Sequence, residues 1–482
     1  MTQLDAVVVG SGPNGLAAAV TLARAGLSVE LFERNATIGG GMRTSELTLP
    51  GFHHDVCSAV HPLALTSPFF RRFQLERRVR FHVPELSYAH PLDGGRAGLA
   101  FRDLDRTVDL LGVDGGRWRS LFAPLVEEVD ALARISGSSP LRMPRHPVTA
   151  FRLAERLLWQ GGPAWNAGFR DEMAPAMLTG VFAHSTLSLP RLAAAATGLV
   201  LATDAHARGW PIPAGGSQAI ADALAADFEA NGGRIVLGAE IRSLGDLPSA
   251  RAYMFDVSAR GLARIAGDAL PGRYRARLER FRHGNGIAKV DFALSDPVPW
   301  ADPEVRRAGT VHLGGRRSAV ARSENAVARG RLDDRPYVLV SQPSAFDPSR
   351  APAGRHVLWA YTHVPARSPA DRTEAVVAQI ERFAPGFKDT ILATASRTAD
   401  DIERYNPNYV GGDIATGKAG LLQLVRRPVV SLDPWRTPSA GIYLCSASAS
   451  PGPGVHGLGG WHAALSALRH TFGITSTPSL AP

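Results

Sequence analysis

At 482 residues, with 45% hydrophobic and 20% charged side chains, the chain suits two globular domains with an ample core. Its net charge of +9 is carried almost wholly by arginine, since lysine occurs only at Lys289, Lys388 and Lys418, and no basic run interleaved with aromatics points to nucleic acid. Two distant cysteines, Cys57 and Cys445, exclude a disulfide framework, a zinc cluster and a paired redox centre.

Residues 5–34, DAVVVGSGPNGLAAAVTLARAGLSVELFER, carry the strongest local signal. Residues 6–9 are small and β-branched, which predicts a buried parallel strand. Gly10, Gly12 and Gly15 then spell G-x-G-x-x-G around Pro13 and Asn14. An alanine-rich helix is expected over 16–25, Gly26 stands where a C-cap belongs, and 28–32 reads as a second strand running into Glu33 and Arg34. In such a unit the first glycine makes the tight turn, the second admits a pyrophosphate, and the third lets helix and strand approach. The helix N-terminus faces the phosphates, and Glu33 is placed to accept from a ribose hydroxyl. The alternative is a glycine-rich turn in an α/β domain that binds no dinucleotide.

A second glycine cluster follows at Gly39-Gly40-Gly41-Met42-Arg43-Thr44. In the turn-rich segment 51–62, His53, His54 and His61 read as ordinary loop or core histidines, with His61, beside Pro62, the first choice to line a pocket. Short strands are expected at 79–83, 97–101 and 107–110, then a helix over 117–135. The helix expected over 148–160 places Phe151, Ala154, Leu157 and Leu158 on one face and Arg152, Glu155 and Arg156 on the other. Its apolar face either lies on a membrane or, as surface helices more often do, packs on the core. A further alanine-rich helix is expected over 190–201.

At 211–218, PIPAGGSQ, Gly216 or Ser217 is placed to cap a helix to Ala230, followed by a strand over 234–241 and another over 253–257. Strands are then expected at 286–294, 337–341 and 356–363, with a helix over 369–383. Tyr361 and His363 share a strand face and either reach a pocket or pack within the sheet. Residues 401–413, aromatic and rich in turns, suggest a lid or pocket wall. The chain closes with a strand at 441–445, then Ser446 and a turn through Gly452, Gly454, Val455, His456 and Gly457 into a last helix. This second G-x-G-x-x-G has no acid after it and is not another dinucleotide fingerprint.

Three of these segments resemble, in order, the cofactor segments of the phytoene desaturases and phytoene-dehydrogenase-related oxidoreductases, within the flavoprotein superfamily that also holds the amine oxidases. The second glycine cluster resembles GGR-x-x-T: Gly41 stands at the arginine, Thr44 matches, and Arg43 is the candidate replacement cation. The P-x-G-G, helix, GG, strand series at 211–241 resembles the second segment, although the hairpin that usually follows is missing before Tyr253. The end of the chain resembles Y-L-x-G-x-x-x-x-P-G-x-G-x-x-G, with Ser446 at the usual first glycine and Pro451, Gly452, Gly454 and Gly457 matching.

The resemblance implies an α/β fold, with a Rossmann-like FAD-binding domain of the glutathione-reductase type interleaved with an α+β substrate domain. Residues 1–75, 205–265 and 425–482 would form the first, and 76–204 and 266–424 the second. Non-covalent FAD would lie on Gly10, Gly12, Pro13, Asn14, Gly15, Glu33 and Arg34, and on Gly40, Gly41, Met42 and Arg43. Its adenine would run along Glu240 and Ile241. Its flavin edge would meet Ser446, Gly454, Val455 and His456, where the last helix offers N–H groups. The flavin would be the main catalyst, with His456, His61 and Tyr361 as candidate catalytic side chains. The expected reaction is hydride transfer between flavin and an apolar substrate, most readily C–C dehydrogenation, with oxygen or a quinone as acceptor. A flavin amine oxidase and a flavin-free prenyl- or lipid-binding protein are the alternatives. No basic, apolar leader opens the sequence, so a cytoplasmic location with peripheral membrane contact is expected.

Overall fold

The computed structural model describes residues 3–482; residues 1 and 2, at the start of the expected first domain, lie outside it. Ala6 to Val9 are almost fully buried in the strand Leu4–Val9, which therefore takes the middle of a parallel sheet covered on both faces. That sheet runs Ile442–Leu444, Ala250–Phe255, Leu4–Val9, Val29–Phe32, Arg234–Val236, all parallel. Its strands come from three separate stretches of chain. The loops after Val9, Phe32, Phe255 and Leu444 leave at the same carboxyl edge, where open α/β sheets bind their ligands.

A seven-stranded sheet is built from the intervening chain, in the order Ile391–Arg397, Gly286–Leu294, His356–Val364, Val338–Ser341, Ala308–Leu313, Leu86–Pro91, Ala97–Phe101. Its pairings are antiparallel except Ala308–Leu313 with Leu86–Pro91. Helices Gly115–Val126, Met173–Ala183 and Leu192–Ala207 share a buried cluster with its Tyr88, Leu339, Trp359 and Tyr361. The mixed α/β architecture is the expected one.

The first helix, Pro13–Ala23, and the last, Leu458–His470, pack at a distance only glycine allows: a Cβ on Gly460 would stand 1.7 Å from the Asn14 carbonyl oxygen. The first helix begins three residues earlier than expected because Pro13 takes its first position.

Several elements differ from expectation for identifiable reasons. Residues 107–110 are helical, within Leu104–Leu110, because Asp103 caps that helix by accepting the N–H groups of Asp105 and Arg106. The helix expected over 117–135 is two, Gly115–Val126 and Val129–Ser136, parted at non-helical Glu128. Ser217 precedes the helix Gln218–Ala230 without a side-chain cap, since its hydroxyl donates to the Ser58 carbonyl instead. The strand expected over 234–241 ends at Val236, and no hairpin intervenes before Ala250–Phe255.

The largest inversion is in the helix Pro147–Gln160. Its inward face carries polar residues: Thr149, Arg156 and Gln160 are buried beside partly buried Leu153 and Leu157, while Phe151 and Leu158 are 72% and 70% exposed.

Candidate functional site

One cavity of about 650 Å³ runs from the carboxyl edge of the parallel sheet toward the seven-stranded sheet. Its first half is lined by Gly10, Gly12, Pro13, Asn14, Glu33, Arg34, Gly40, Gly41 and Arg43, and also by Ile241. Ser446, Gly454 and Val455 line its middle. The sheet thus gathers residues more than 400 positions apart in sequence, because each follows the end of a neighbouring strand or its helix.

The glycine turn fits a phosphate cradle. A Cβ on Gly15 would stand 2.0 Å from the Gly10 carbonyl oxygen, and one on Gly40 would stand 3.0 Å from the Gly12 Cα. Gly15 itself does not line the cavity; its role is the close packing under it. Met42 turns into the apolar core behind the cluster and does not line the cavity either.

Glu33 is a hub. Its Oε2 accepts from the Ser11 N–H at 3.1 Å and the Ser11 hydroxyl at 2.6 Å. Its Oε1 accepts from the Asn35 N–H, the Asn35 side-chain amide and the Arg43 guanidinium at 2.9, 2.7 and 3.2 Å. Burial alone would raise its pKa, but the Ser11, Asn35 and Arg43 contacts outweigh that and hold it below the ordinary value. Arg43 does stand at the site, as a cation tied to Glu33 and to the Tyr405 hydroxyl at 3.1 Å.

The expectation for the last helix needs correction. The Leu458 N–H donates to His456 Nδ1 at 3.0 Å, and the Gly459 and Gly460 N–H groups donate to Asn14 Oδ1 at 3.1 and 3.4 Å. Those first-turn donors are therefore taken up inside the protein. His456 itself is 3% exposed and does not line the cavity, so its imidazole caps its own helix and is not placed to act on a ligand. Burial lowers its pKa to about 4, which keeps it neutral.

The second half of the cavity is an apolar chamber. Val60, Leu63, Leu201, Trp210, Leu339 and Trp359 line it, with His61, His184, Tyr361, Thr186, Thr197 and Thr310 among its polar-tipped members. His61 Nε2 lies 2.7 Å from Ser217 Oγ, and since that hydroxyl donates to the Ser58 carbonyl, the imidazole is the donor to it. His61 therefore carries its proton on Nε2. Burial lowers its pKa to about 4. Tyr361 stands edge-on to Trp359, centroids 5.1 Å apart and rings at 87°, and burial pushes its phenol well above the ordinary value. His363, on the same strand face, turns instead to Glu324 at 2.8 Å and stays outside the cavity. Of the other early histidines, His54 bonds Thr48 at 2.8 Å, and neither it nor His53 reaches the chamber.

Residues 403–410 form part of the wall, through Glu403, Asn406, Asn408 and Tyr409 among others. Arg427, fully buried, donates to the carbonyls of Ala447, Ala415 and Gly417 at 2.7, 2.9 and 3.3 Å, bracing the wall at two cavity-lining residues, Ala415 and Ala447.

Sequence reasoning missed four participants. Asp256 lines the cavity directly beneath the glycine turn; it follows the strand Ala250–Phe255, and the carboxyl end of a strand beside the first was the available signal. His184 lines the chamber and meets buried His312, Nε2 to Nε2, at 2.8 Å. Tyr409 brings its hydroxyl against Gly41, where a Cβ would stand 2.4 Å from it. Lys289 is buried behind Trp359, its ammonium 5.6 Å from that ring and paired with Asp291. Burial lowers the Lys289 pKa against the opposing pull of Asp291. No group of residues suited to hold a metal occurs among the described residues.

Residues 8–73 match the family of NAD(P)-binding Rossmann-like domains, which covers the glycine turn, Glu33 and the second glycine cluster. Over 97% of its length the chain is 26% identical to pyridine nucleotide-disulfide oxidoreductase domain-containing protein 2 of Rattus norvegicus, spanning 94% of that protein. Among solved structures, an oxidoreductase from Methanosarcina mazei superposes with a TM-score of 0.59 at 18% identity, covering 97% of this chain and 100% of that one. Putrescine oxidase bound to putrescine superposes with a TM-score of 0.58 at 17% identity, covering 97% and 99%. At these identities the superpositions establish the fold: a Rossmann-like dinucleotide-binding unit joined to a second sheet, as in these oxidoreductases.

Proposed function

We propose that the protein is an FAD-dependent oxidoreductase that exchanges hydride with an apolar substrate, most readily across a C–C bond, as the phytoene-dehydrogenase-related enzymes do. The observation that carries this reading is the continuity of the cavity: its dinucleotide half opens directly into the apolar chamber. The glycine turn, Glu33 with Arg43, and Ile241 would hold the adenosine and pyrophosphate parts, and Ser446, Gly454 and Val455 the flavin. When bound, the isoalloxazine supplies the hydride acceptor.

The chain's own side chains supply shape, dryness and neutral proton carriers. Trp359, Tyr361, Trp210 and Leu339 exclude water and orient an apolar substrate. Dehydrogenation of a C–C bond releases a proton besides the hydride. His61 and His184 line the chamber, and burial lowers their pKa values to about 4 and about 3, so both imidazoles are neutral near neutral pH and each keeps one ring nitrogen without a proton to receive it.

The amine-oxidase reading is less well supported. No carboxylate lines the Trp359–Tyr361 end of the cavity to hold an ammonium; its acids, Glu33, Glu240, Asp256 and Glu403, belong to the dinucleotide half and the wall. Anaerobic mixing tests the choice. Long-chain unsaturated hydrocarbons or their oxygenated derivatives are expected to bleach the flavin, and primary amines to leave it oxidised. Bleaching by amines alone would favour amine oxidation.

A further inference from the structure

We propose that the helix Pro147–Gln160 and the segment 421–432 form a docking surface for an anionic lipid bilayer. The helix is built inside out. Thr149 donates to Glu128 at 2.6 Å, Arg156 donates to the carbonyls of Leu121 and Ser120 at 2.8 Å each, and the Gln160 side chain accepts from the Asn166 N–H at 3.2 Å. These polar anchors fix the rotation of the helix and leave Val148, Phe151 and Leu158 in solvent. Just before it, Met143 is 90% exposed.

The segment 421–432 repeats the pattern. Leu421, Leu422, Val430 and Leu432 are exposed, Leu422 by 73%. The two segments meet: Arg142 Nε donates to the Leu432 carbonyl at 3.1 Å, and inward-facing Leu153, Leu157 and Leu424 pack against one cluster. Eight large apolar side chains thus stand exposed on two neighbouring segments, more than the singly scattered apolar residues of ordinary surfaces.

Charge selects the occupant. Exposed Arg142, Arg145, Lys418 and Arg426 rim the surface, and none of them forms an ion pair among the described residues. Glu155 is the one acid within 141–160, and 417–432 contains none. A second copy across a two-fold axis would set the same cations against one another. An anionic leaflet attracts each of them and takes up the apolar side chains.

The surface also adjoins the cavity. Arg427 ties the 421–432 segment to the carbonyls of cavity-lining Ala415 and Ala447. Delivery of an apolar substrate from the bilayer rests on the function proposed above; the docking itself does not.

Flotation of the intact protein with vesicles of phosphatidylcholine, alone or mixed with phosphatidylglycerol, tests the proposal. The protein is expected to float with the mixed vesicles and far less with phosphatidylcholine alone. The triple variant Phe151→Glu, Leu158→Glu, Leu422→Glu is expected to stay in solution with an unchanged melting temperature, since all three side chains are solvent-exposed. Arg145→Glu with Arg426→Glu is expected to weaken binding to mixed vesicles at least about thirtyfold, two cations at their ordinary attraction to an anionic leaflet. Wild type that ignores mixed vesicles, or a triple variant that floats like wild type, overturns the proposal. So does a wild-type dimer in sedimentation that the triple variant dissociates, which would assign the surface to a second copy. A colourless protein that still floats would remove the flavin reading and leave the docking surface intact.

Discussion

The Asp256 carboxylate closes onto the first helix from the neighbouring strand: its Oδ2 accepts the Gly15 N–H at 2.9 Å, joining residues 241 positions apart. Burial raises the Asp256 pKa to about 7, with the Gly15 hydrogen bond opposing and the nearby Glu33 charge adding to the rise. A carboxylate at the phosphate-facing end of a helix competes with the anion that end would otherwise hold.

Dinucleotide affinity is therefore expected to depend on pH. A pyrophosphate brought to the turn favours the neutral, protonated Asp256, so FAD should bind more tightly below pH 7, and the Kd should rise by up to about tenfold per pH unit above it. The sign for stability is the same. Between the ordinary value of 3.8 and about 7 the native chain keeps a proton that the unfolded chain loses, so stability falls as pH rises through that window. Asp256→Asn should flatten both profiles and tighten FAD binding at pH 8. Titration of the apoprotein with FAD from pH 6 to 8 checks this, and an unchanged slope in the variant would refute it.

Glu33→Ala should weaken FAD binding by about 1.5–3 kcal/mol, the magnitude of a charged hydrogen bond, or roughly ten- to hundredfold in Kd. Because Glu33 also gathers Ser11, Asn35 and Arg43, Glu33→Gln should lose less. Equal Kd values for Glu33→Ala and wild type would show that the ribose does not lie there.

The turn before the last helix separates backbone from side-chain roles. His456→Ala should leave flavin reduction unchanged and cost about 1 kcal/mol of stability, because the imidazole accepts the Leu458 N–H as a cap. Gly454→Val should disturb the flavin spectrum. Gly454 has φ +136°, and a Cβ there would stand 2.8 Å from His456 Cδ2 and 2.9 Å from Leu63 Cδ1. Gly454→Val with an unaltered spectrum and reduction rate would remove the flavin from this turn.

The cofactor half of the site was legible because its demands are local. Gly10, Gly12 and Gly15 are required by a turn whose geometry is set within six residues, and Glu33 follows one strand later. Asp256 and Lys289 reach their places only through strand pairings set by the whole fold, and although the turn-rich segment 401–413 reads as a pocket wall, nothing in it singles out Tyr409. The helix Pro147–Gln160 marks another limit. Periodicity shows that Phe151 and Leu158 share a face, but the hydrogen bonds of Arg156 to the carbonyls of Ser120 and Leu121 hold the polar side of the helix inward. His456 was misplaced because its hydrogen bond to Leu458 lies within its own turn and competes with any outward role.

NADPH is not expected to be the obligatory reductant, since the first glycine turn is the one credible dinucleotide fingerprint in the sequence. Electrons are expected to leave to oxygen or a quinone. Saturable bleaching of the flavin by NADPH at the turnover rate would contradict this.

The visible spectrum of the purified protein is the most direct test of FAD binding. A yellow protein is expected, with the spectrum of oxidised flavin and intact FAD released on denaturation, the outcome that the joined glycine-turn and apolar halves of the cavity favour. A colourless protein that takes up no added FAD would contradict it.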